Sequence, residues 1–588
     1  MAKVNARAYL SPSLVLLAMD WPDGATRQDF LGFQIRRTPG FLDLNTGVPA
    51  ASSLLPNRVS FTGPPPEGAP DFPSDVAPIQ KFMWWDARLD GSNAGDTLTY
   101  EITPVCGAVD DLQPIVADTL SLAVVLPNHV EFGIGTWFNR AVMSSQAFSR
   151  KLKSFNVPPA QLTAAQALEL RQWLANGMET PVPDFVGPAA AAFDSVVGAI
   201  YHLTDQVWII PALQAAMATR SIGLVFDADD PAVSAAAQAT LTQVTFFPRN
   251  KLEIMHNKFL VAGDQLQNAP QAVTKRLTCG SANYTTEGLT SQANLVHTFE
   301  SSALARLYFD RFELLKNNPN KAGTTKNVGW SPTVSIGDAG VRVFFSPEKG
   351  STSAGSPSVS IETIVANIHA ARSSVIFCLF TPTDLQLRQA CFAVGDAGKM
   401  MFGLVNRIAR TEPHATPGPT GHIPADQLAA LELFHRSRDN MDTIGAEFFS
   451  AALTPAGFET EINIFPGENP PPFPPVIIHH KFIVIDAETD SPVIYTGSAN
   501  MSGNSVFNND ENLLEIKGSP RLAQIYLAEF LRLYEHYRAR ARFIKFKLSQ
   551  QPATAVGFSL RADRSWADKH YTAGSPEFKA RLRMLSVG

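Results

Sequence analysis

Charge is the first thing this chain has little of. Only 17% of its 588 residues are charged, against 45% hydrophobic, and the 54 acidic and 48 basic residues leave a net charge of -6. That balance excludes indiscriminate coating of nucleic acid, while a local basic groove stays open, because net charge does not fix its own distribution. Cysteine is scarcer still: Cys106, Cys279, Cys378 and Cys391 are the four, with no C-x-x-C pairing. A disulfide scaffold and a cysteine zinc cluster are thereby excluded. Cys279 and Cys378 fall in apolar strand-like runs and read as buried thiols. The longest apolar runs, such as residues 14–19, are too short to span a bilayer. The opening Met1-Ala2-Lys3-Val4-Asn5-Ala6-Arg7 lacks the uninterrupted apolar core of a signal peptide. The expectation is a protein of a reducing compartment, cytoplasmic or peripheral to a membrane, with no transmembrane segment.

What is there begins with β structure. Leu98, Tyr100 and Ile102 alternate with Thr97, Thr99, Glu101 and Thr103, and Phe33 and Ile35 alternate with Gln34 and Arg36. Short strands, a Pro/Gly-rich loop at 63–68 and no helical period predict a small β-sandwich over residues 1–125, fibronectin- or immunoglobulin-like in outline. Its expected role is docking, or covering one side of the remainder of the chain. From about residue 126 the period changes. Residues 130–134 read as strand, 137–152 as helix, and an Ala-rich helical region runs to a break at Pro181-Val182-Pro183. A helix near 211–220 then leads into apolar strands at 222–227 and 244–248.

The same order recurs. Ile361, Ile364, Val365 and Ile368 make a helical stripe, and strands follow at 375–380, 401–406 and 462–466. Ser519-Pro520 is a cap and first turn for a helix carrying Leu522, Tyr526, Phe530, Leu533 and Tyr537. Strands alternating with helices, twice over, predict an α/β fold of two pseudo-symmetric lobes, residues 126–325 and 326–588, joined through the polar stretch 317–330. Pro-rich loops at 413–424 and 470–475 are expected to shape substrate entry.

Two stretches carry chemistry. His479-His480-Lys481-Phe482-Ile483-Val484-Ile485-Asp486 sets a histidine, a lysine and an aspartate at H-x-K-x4-D spacing on an apolar strand, and Gly497-Ser498-Ala499-Asn500 follows. Earlier, His256-Asn257-Lys258 opens an apolar run ending in Gly263 and Asp264, and Gly280-Ser281-Ala282-Asn283 follows. H-x-K alone arises by chance, whereas two copies with the same downstream loop form a context. No histidine or carboxylate cluster at ligand spacing accompanies them, and a lysine in the motif would repel a divalent cation, so no metal and no cofactor are expected. The G-x-S-x-G elbow of a serine hydrolase is missing.

Brought together, the two histidines, two lysines and two polar loops make a positive pocket suited to a tetrahedral phosphodiester. One histidine attacks phosphorus and the other protonates the leaving oxygen, and the residues leave open which does which. Lys258 and Lys481, with Ser281, Asn283, Ser498 and Asn500 of the loops, are expected to bind the non-bridging oxygens as charge builds.

This constellation resembles the phospholipase D superfamily, whose signature is a duplicated H-x-K-x4-D motif followed by G-S-x-N. The resemblance covers residues from about 126 to 588 and is most specific at 479–500. It implies a bilobal α/β fold with one site shared between the lobes, and metal-independent ping-pong chemistry through a phosphohistidine. It implies His256 as nucleophile, His479 as general acid, and Asp486 as a site residue. Two positions depart from the pattern. In the first copy Gly263 stands where the aspartate belongs, and the acid comes one residue late at Asp264, a slip that turns a side chain to the opposite face unless a bulge restores it. The acidic residue expected about eleven positions past the loop asparagine, which positions a histidine, is Glu511 in the second copy but Asn294 in the first.

Other residues read more plainly. Alternation turns His480 away from the face of its neighbours. The cluster Arg538, Arg540, Arg542, Lys545 and Lys547 reads as a solvated helix end, with an anionic membrane or nucleic acid as the alternative. The expected partner is a phosphodiester substrate, phospholipid before nucleic acid, with peripheral membrane contact and a monomeric catalytic unit. An endonuclease of the same chemistry and a weakly catalytic scaffold are the alternatives.

Overall fold

The structure is a computed structural model that describes the chain except residues 1–2, 44–45, 67–68, 143–144, 188–192, 230–231, 251–253, 320–328, 352–356, 419–420, 422, 441, 447–475, 550–558 and 586–588. It is a mixed α/β protein built around two eight-stranded sheets. In the first, the spatial order is Val130–Glu131, Ile134–Phe138, Leu295–Phe299, Val273–Gly280, Lys258–Asp264, Ser195–Ile200, Ser221–Asp227 and Thr245–Arg249. In the second it is Val334–Ile336, Ala339–Ser346, Glu511–Lys517, Val493–Gly497, Lys481–Ile485, Ser374–Leu379, Met400–Val405 and Thr443–Gly445. Each motif strand is fifth in its sheet, antiparallel to both neighbours, and the three last strands of each sheet run parallel to one another.

Why these residues make central strands is plain from their burial. Phe259, Leu260, Val261 and Ala262, like Phe482, Ile483 and Val484, are fully buried, as continuous apolar runs covered on both faces must be. One core cluster joins the sheets. It contains Val261, Leu277 and Leu295 from the first and Val484, Ile494 and Leu514 from the second. Between them lie Leu522, Tyr526, Phe530, Leu533 and Tyr537 of the long Pro520–Ser549 helix, spaced three and four apart along one buried stripe. Separate clusters fill the outer face of each sheet.

The N-terminal residues form a three-stranded sheet and a five-stranded sheet over one shared core, with Val15, Leu17 and Met19 facing Phe33, Ile35, Tyr100 and Ile102. The end of the chain returns to this core. Ala567, Trp566 and Tyr571 join it, Arg581 pairs with Asp20, and the Tyr9 hydroxyl donates to the Met584 carbonyl at 2.8 Å. Two expectations change. Trp137 belongs to a strand rather than a helix, because it pairs with Val296; the helix waits until Gln146–Lys153. Pro181 does not break a helix but opens one, Pro181–Val186, as the first-turn position that needs no N–H. Residues 462–466 and the 470–475 loop lie outside the described residues. Among the described residues no helix is long and apolar enough to cross a membrane.

Candidate active site

Each motif histidine sits just ahead of its strand, held by a short parallel bridge to the other sheet. Met255 bridges Asp510 and Ala293 bridges Ile478. The His256 N–H donates to the Asp510 carbonyl at 2.9 Å, and the His479 N–H donates to the Ala293 carbonyl at 3.1 Å. The two bridges bring the imidazoles together edge to face, ring centroids 6.4 Å apart and planes at 71°. Lys258 and Lys481 stand two residues on, each donating from Nζ to its own histidine's carbonyl at 2.7 Å. Tyr201 lies 5.0 Å from His256 and 5.2 Å from Lys258 Nζ, and Phe380 lies 5.8 Å from His479 and 5.7 Å from Lys481 Nζ. An aromatic ring thus walls each half.

The supports cross over. Glu511 Oε2 lies 2.8 Å from Nδ1 of His256, and Asn294 Oδ1 lies 2.9 Å from Nδ1 of His479, so each supporting side chain serves the histidine of the other copy. Asn294 Nδ2 donates to the Gly288 carbonyl at 2.9 Å, which fixes its oxygen toward the ring. With Nδ1 engaged as donor, Nε2 is the nitrogen each ring presents to the pocket.

The loop serines, expected at the phosphate, are engaged by the protein itself. Ser281 Oγ donates to Asn294 at 2.8 Å and Ser498 Oγ donates to Glu511 at 2.6 Å, while each oxygen accepts a backbone N–H from the adjacent strand. Their hydroxyl protons are committed to holding the supports. Asn283 and Asn500 differ: both amide oxygens are buried without a hydrogen-bond partner among the described residues. Those two oxygens are open to a hydrogen-bond donor.

The aspartates stand away from the histidines. Asp486 closes the far end of the Lys481–Ile485 strand, where its carboxylate accepts the backbone N–H groups of Arg372, Ser373 and Ser374 at 2.7 to 3.1 Å. There it caps the neighbouring strand. Asp264 is a clearer correction. The ladder does bulge between Ala262 and Gly263, but Asp264 then turns outward to Lys275, 2.7 Å away, with both side chains 36% exposed. No aspartate fits at 263, because a Cβ there would come within 2.1 Å of the Val273 carbonyl oxygen. The capping acid has moved to the opposite strand, where Asp194 accepts the Gln265 N–H at 2.8 Å. His480 turns to the core as alternation required, packing against Phe138 and Phe482.

Electrostatically the pocket is a buried cluster of cationic groups. Lys258 and Lys481 are 1% and 0% exposed, and His256 and His479 are 5% and 7% exposed. Burial pulls the Lys258 ammonium down to about 7, against an opposing pull from Glu511. Burial and then Lys258 hold Lys481 well below its ordinary value. Burial, followed by the neighbouring lysines, likewise depresses both histidines, with His202 adding to the effect at His256. Burial raises the Glu511 carboxyl to about 7, partly offset by Lys258. Burial is the first cause of every one of these shifts, since it disfavours the charged form of cation and carboxylate alike. A bound oxyanion would favour the charged lysines and histidines. Among the described residues no group of three histidines, cysteines or carboxylates is arranged to hold a metal ion.

Sequence reasoning missed Tyr201, His202 and Phe380. Their signal lies in strand register, Lys258 opposite Ile200 and Lys481 opposite Leu379, which puts the next residue of each strand beside the site. The C-terminal basic cluster is partly structural: Arg538 pairs with Glu535, and Arg540 is buried against Tyr537.

Residues 364–534 match the family model described as cardiolipin synthase, PLD-like domain. No curated protein matches the chain closely enough to count as a relative. Among solved structures, the phosphatidylserine synthase of Haemophilus influenzae Rd KW20 is 12% identical at a TM-score of 0.38, covering 70% of this chain and 94% of that one. Nuc of Salmonella typhimurium, titled a phospholipase D family member, is 19% identical at 0.20, covering 24% of this chain and 86% of that one. The polyphosphate kinase of Porphyromonas gingivalis is 10% identical at 0.34 over 57% of this chain, which spans only 42% of the kinase. Residues 364–534, which carry the second histidine, lysine and loop, are thus similar to the PLD-like domain that this family model describes.

Proposed function

We propose that this protein is a phosphodiesterase that works without a metal, through a covalent phosphohistidine, on phospholipid headgroups. On this reading residues 126–325 and 326–588 are the two pseudo-symmetric lobes, residues 1–125 are an accessory β-sandwich, and the pocket between the motifs is the active site. The observation that carries the reading is the pair of imidazoles at 6.4 Å, each with Nδ1 anchored and Nε2 directed inward, above two buried lysines. A phosphodiester between the rings meets a nucleophile on one side and an acid on the other, as in-line displacement needs.

His256 Nε2 attacks phosphorus and forms a P–N bond. The bond from phosphorus to the leaving oxygen breaks, and that oxygen takes the proton from His479 Nε2. Glu511 behind His256 compensates the positive charge the ring acquires on phosphorylation, which favours His256 over His479 as nucleophile. Water, or an alcohol, then loses its proton to His479 Nε2 as its oxygen attacks phosphorus, and the P–N bond breaks to restore His256. Lys258 and Lys481, with the amide N–H groups of Asn283 and Asn500, hold the non-bridging oxygens throughout.

Phospholipid is favoured over nucleic acid by the net charge of -6, by the pairing of Arg538 with Glu535, and by the description of the matching family model. The test is turnover with chelator present on anionic and zwitterionic liposomes, and on single- and double-stranded DNA in parallel. Lipid cleavage lost in His256→Ala and His479→Ala supports the proposal. DNA cleavage lost in both installs an endonuclease instead, and silence on every substrate favours a scaffold.

A further inference from the structure

The two halves of the pocket are matched in backbone and unmatched in charge. Behind His256, the Met255 N–H donates to Asp227 Oδ2 at 2.8 Å, Asp510 forms the bridge, and Glu511 holds the ring. Behind His479, Asn406 Oδ1 accepts the N–H groups of Ile477 and Ile478, Ala293 forms the bridge, and Asn294 holds the ring. Each of the three carboxylates has a neutral counterpart. Glu511 is held directly by Ser498, Ser505 and Asn509 as well as by His256, and Asp510 beside it is held by two arginines. The Asp510 side chain is fully buried and takes a two-point contact from Arg249, Nε to Oδ2 at 2.8 Å and Nη2 to Oδ1 at 3.2 Å. Arg311 adds Nη2 to Oδ1 at 3.1 Å and also donates to the Ser346 carbonyl. Its backbone meanwhile donates to the Ile254 carbonyl at 3.0 Å and accepts the His256 N–H.

The bridge at Ala293 places His479 with neutral side chains alone, Asn406 on the Ile477 and Ile478 N–H groups and Asn139 on the Asn294 N–H. A buried carboxylate and two buried guanidiniums are costly to desolvate and are tolerated only where geometry is well satisfied. Here the satisfied geometry lies one residue from Glu511 and one hydrogen bond from His256. We propose that Asp510, clamped by Arg249 and Arg311, is a positioning residue that fixes the Glu511 carboxylate on His256 Nδ1 and so makes the two halves of the pocket unequal in their chemistry. It rests on the proposed phosphohistidine reading for its kinetic consequence, though not for its geometry. The clasp links strand end, helix and loop from both sheets, so its two-point grip resists rotation of the 510–511 segment in a way a single contact would not.

The experiment compares Asp510→Asn and the milder Arg311→Met, which leaves the Arg249 pair in place, with Glu511→Gln. A control, Asp20→Asn, breaks a buried ion pair with Arg581 remote from the pocket. The readouts are kcat and KM against pH on a soluble aryl phosphodiester, and the downfield proton resonance of the His256 Nδ1–H, assigned by its loss in His256→Ala. A displacement of about 1 Å at a reacting group costs roughly 100-fold in rate. Asp510→Asn should therefore lose about that factor in kcat with KM changed little. Its acidic limb should move to lower pH, as in Glu511→Gln, because a ring losing its carboxylate among Lys258, Lys481 and His202 holds a proton less well. The resonance should broaden or vanish, Arg311→Met should show the same changes in smaller measure, and Asp20→Asn should show none of them. An unchanged pH profile and resonance in folded Asp510→Asn or Arg311→Met overturns the proposal. If the wild type turns over no phosphodiester, the functional reading fails while the resonance still decides the positioning claim.

Discussion

Glu511 and Asn294 sit at matching places in the two halves, and one charge separates them. That charge predicts unequal responses to mutation. Glu511→Gln keeps the hydrogen bond to His256 but removes compensation for the phosphorylated ring, and should cost about 100-fold or more in kcat, within the range for a group acting in proton and nucleophile chemistry. Asn294→Asp does the reverse for His479: a carboxylate on Nδ1 favours the imidazolium, so the basic limb of the kcat/KM profile should move to higher pH. Steady-state profiles of both variants check the pair. The histidines, lysines and loop asparagines were legible in the sequence, because their types and spacing carry the chemistry. The crossing of the supports was not. Spacing counts along one chain segment, whereas Glu511 reaches His256 only because two strands from distant segments meet at Met255 and Asp510.

At the scale of the strand, the first motif shows why a signature need not be complete. The pattern wants aspartate at 263, but the bulge there brings the Val273 carbonyl where a side chain would stand. Gly263→Asp, which completes the pattern on paper, should destabilise the fold by about 2 kcal/mol, in the range for overpacking, without raising activity. Asp486→Ala at the corresponding place removes the acceptor of three backbone N–H groups and should cost about 3 kcal/mol or more, given that each buried unsatisfied donor costs about 1–3. Denaturant midpoints check both. The central strands were visible as apolar runs in either half, and the β character of the first hundred residues was visible in the alternation around Tyr100. What failed was local: Trp137 reads as helix until a partner strand is known, and Pro181 reads as a break until it is seen in a first turn.

For the molecule as a whole, the charge stored in the pocket gives stability a dependence on pH. Lys258 falls from 10.5 to about 7 on folding, so between those values the unfolded chain holds the proton that the folded chain lacks, and stability rises with pH. Glu511 rises from 4.5 to about 7, so between those values the folded chain holds the extra proton, and stability falls as pH rises. Together they place a dip near pH 7. Glu511→Gln should flatten its acidic side, and a bound oxyanion such as vanadate should fill it. Because the anion favours the charged lysines and histidines, its binding should take up protons, seen in calorimetry as a heat that varies with the buffer's ionisation enthalpy.

The central claim is that His256 carries the phosphorus. The measurement that tests it most directly is mass spectrometry of the protein quenched during turnover of a phosphodiester, wild type beside His479→Ala. The account predicts a phosphoramidate on the peptide holding His256, accumulating in His479→Ala where activation of water is lost. An adduct on His479, or none on either histidine while substrate is consumed, would contradict it.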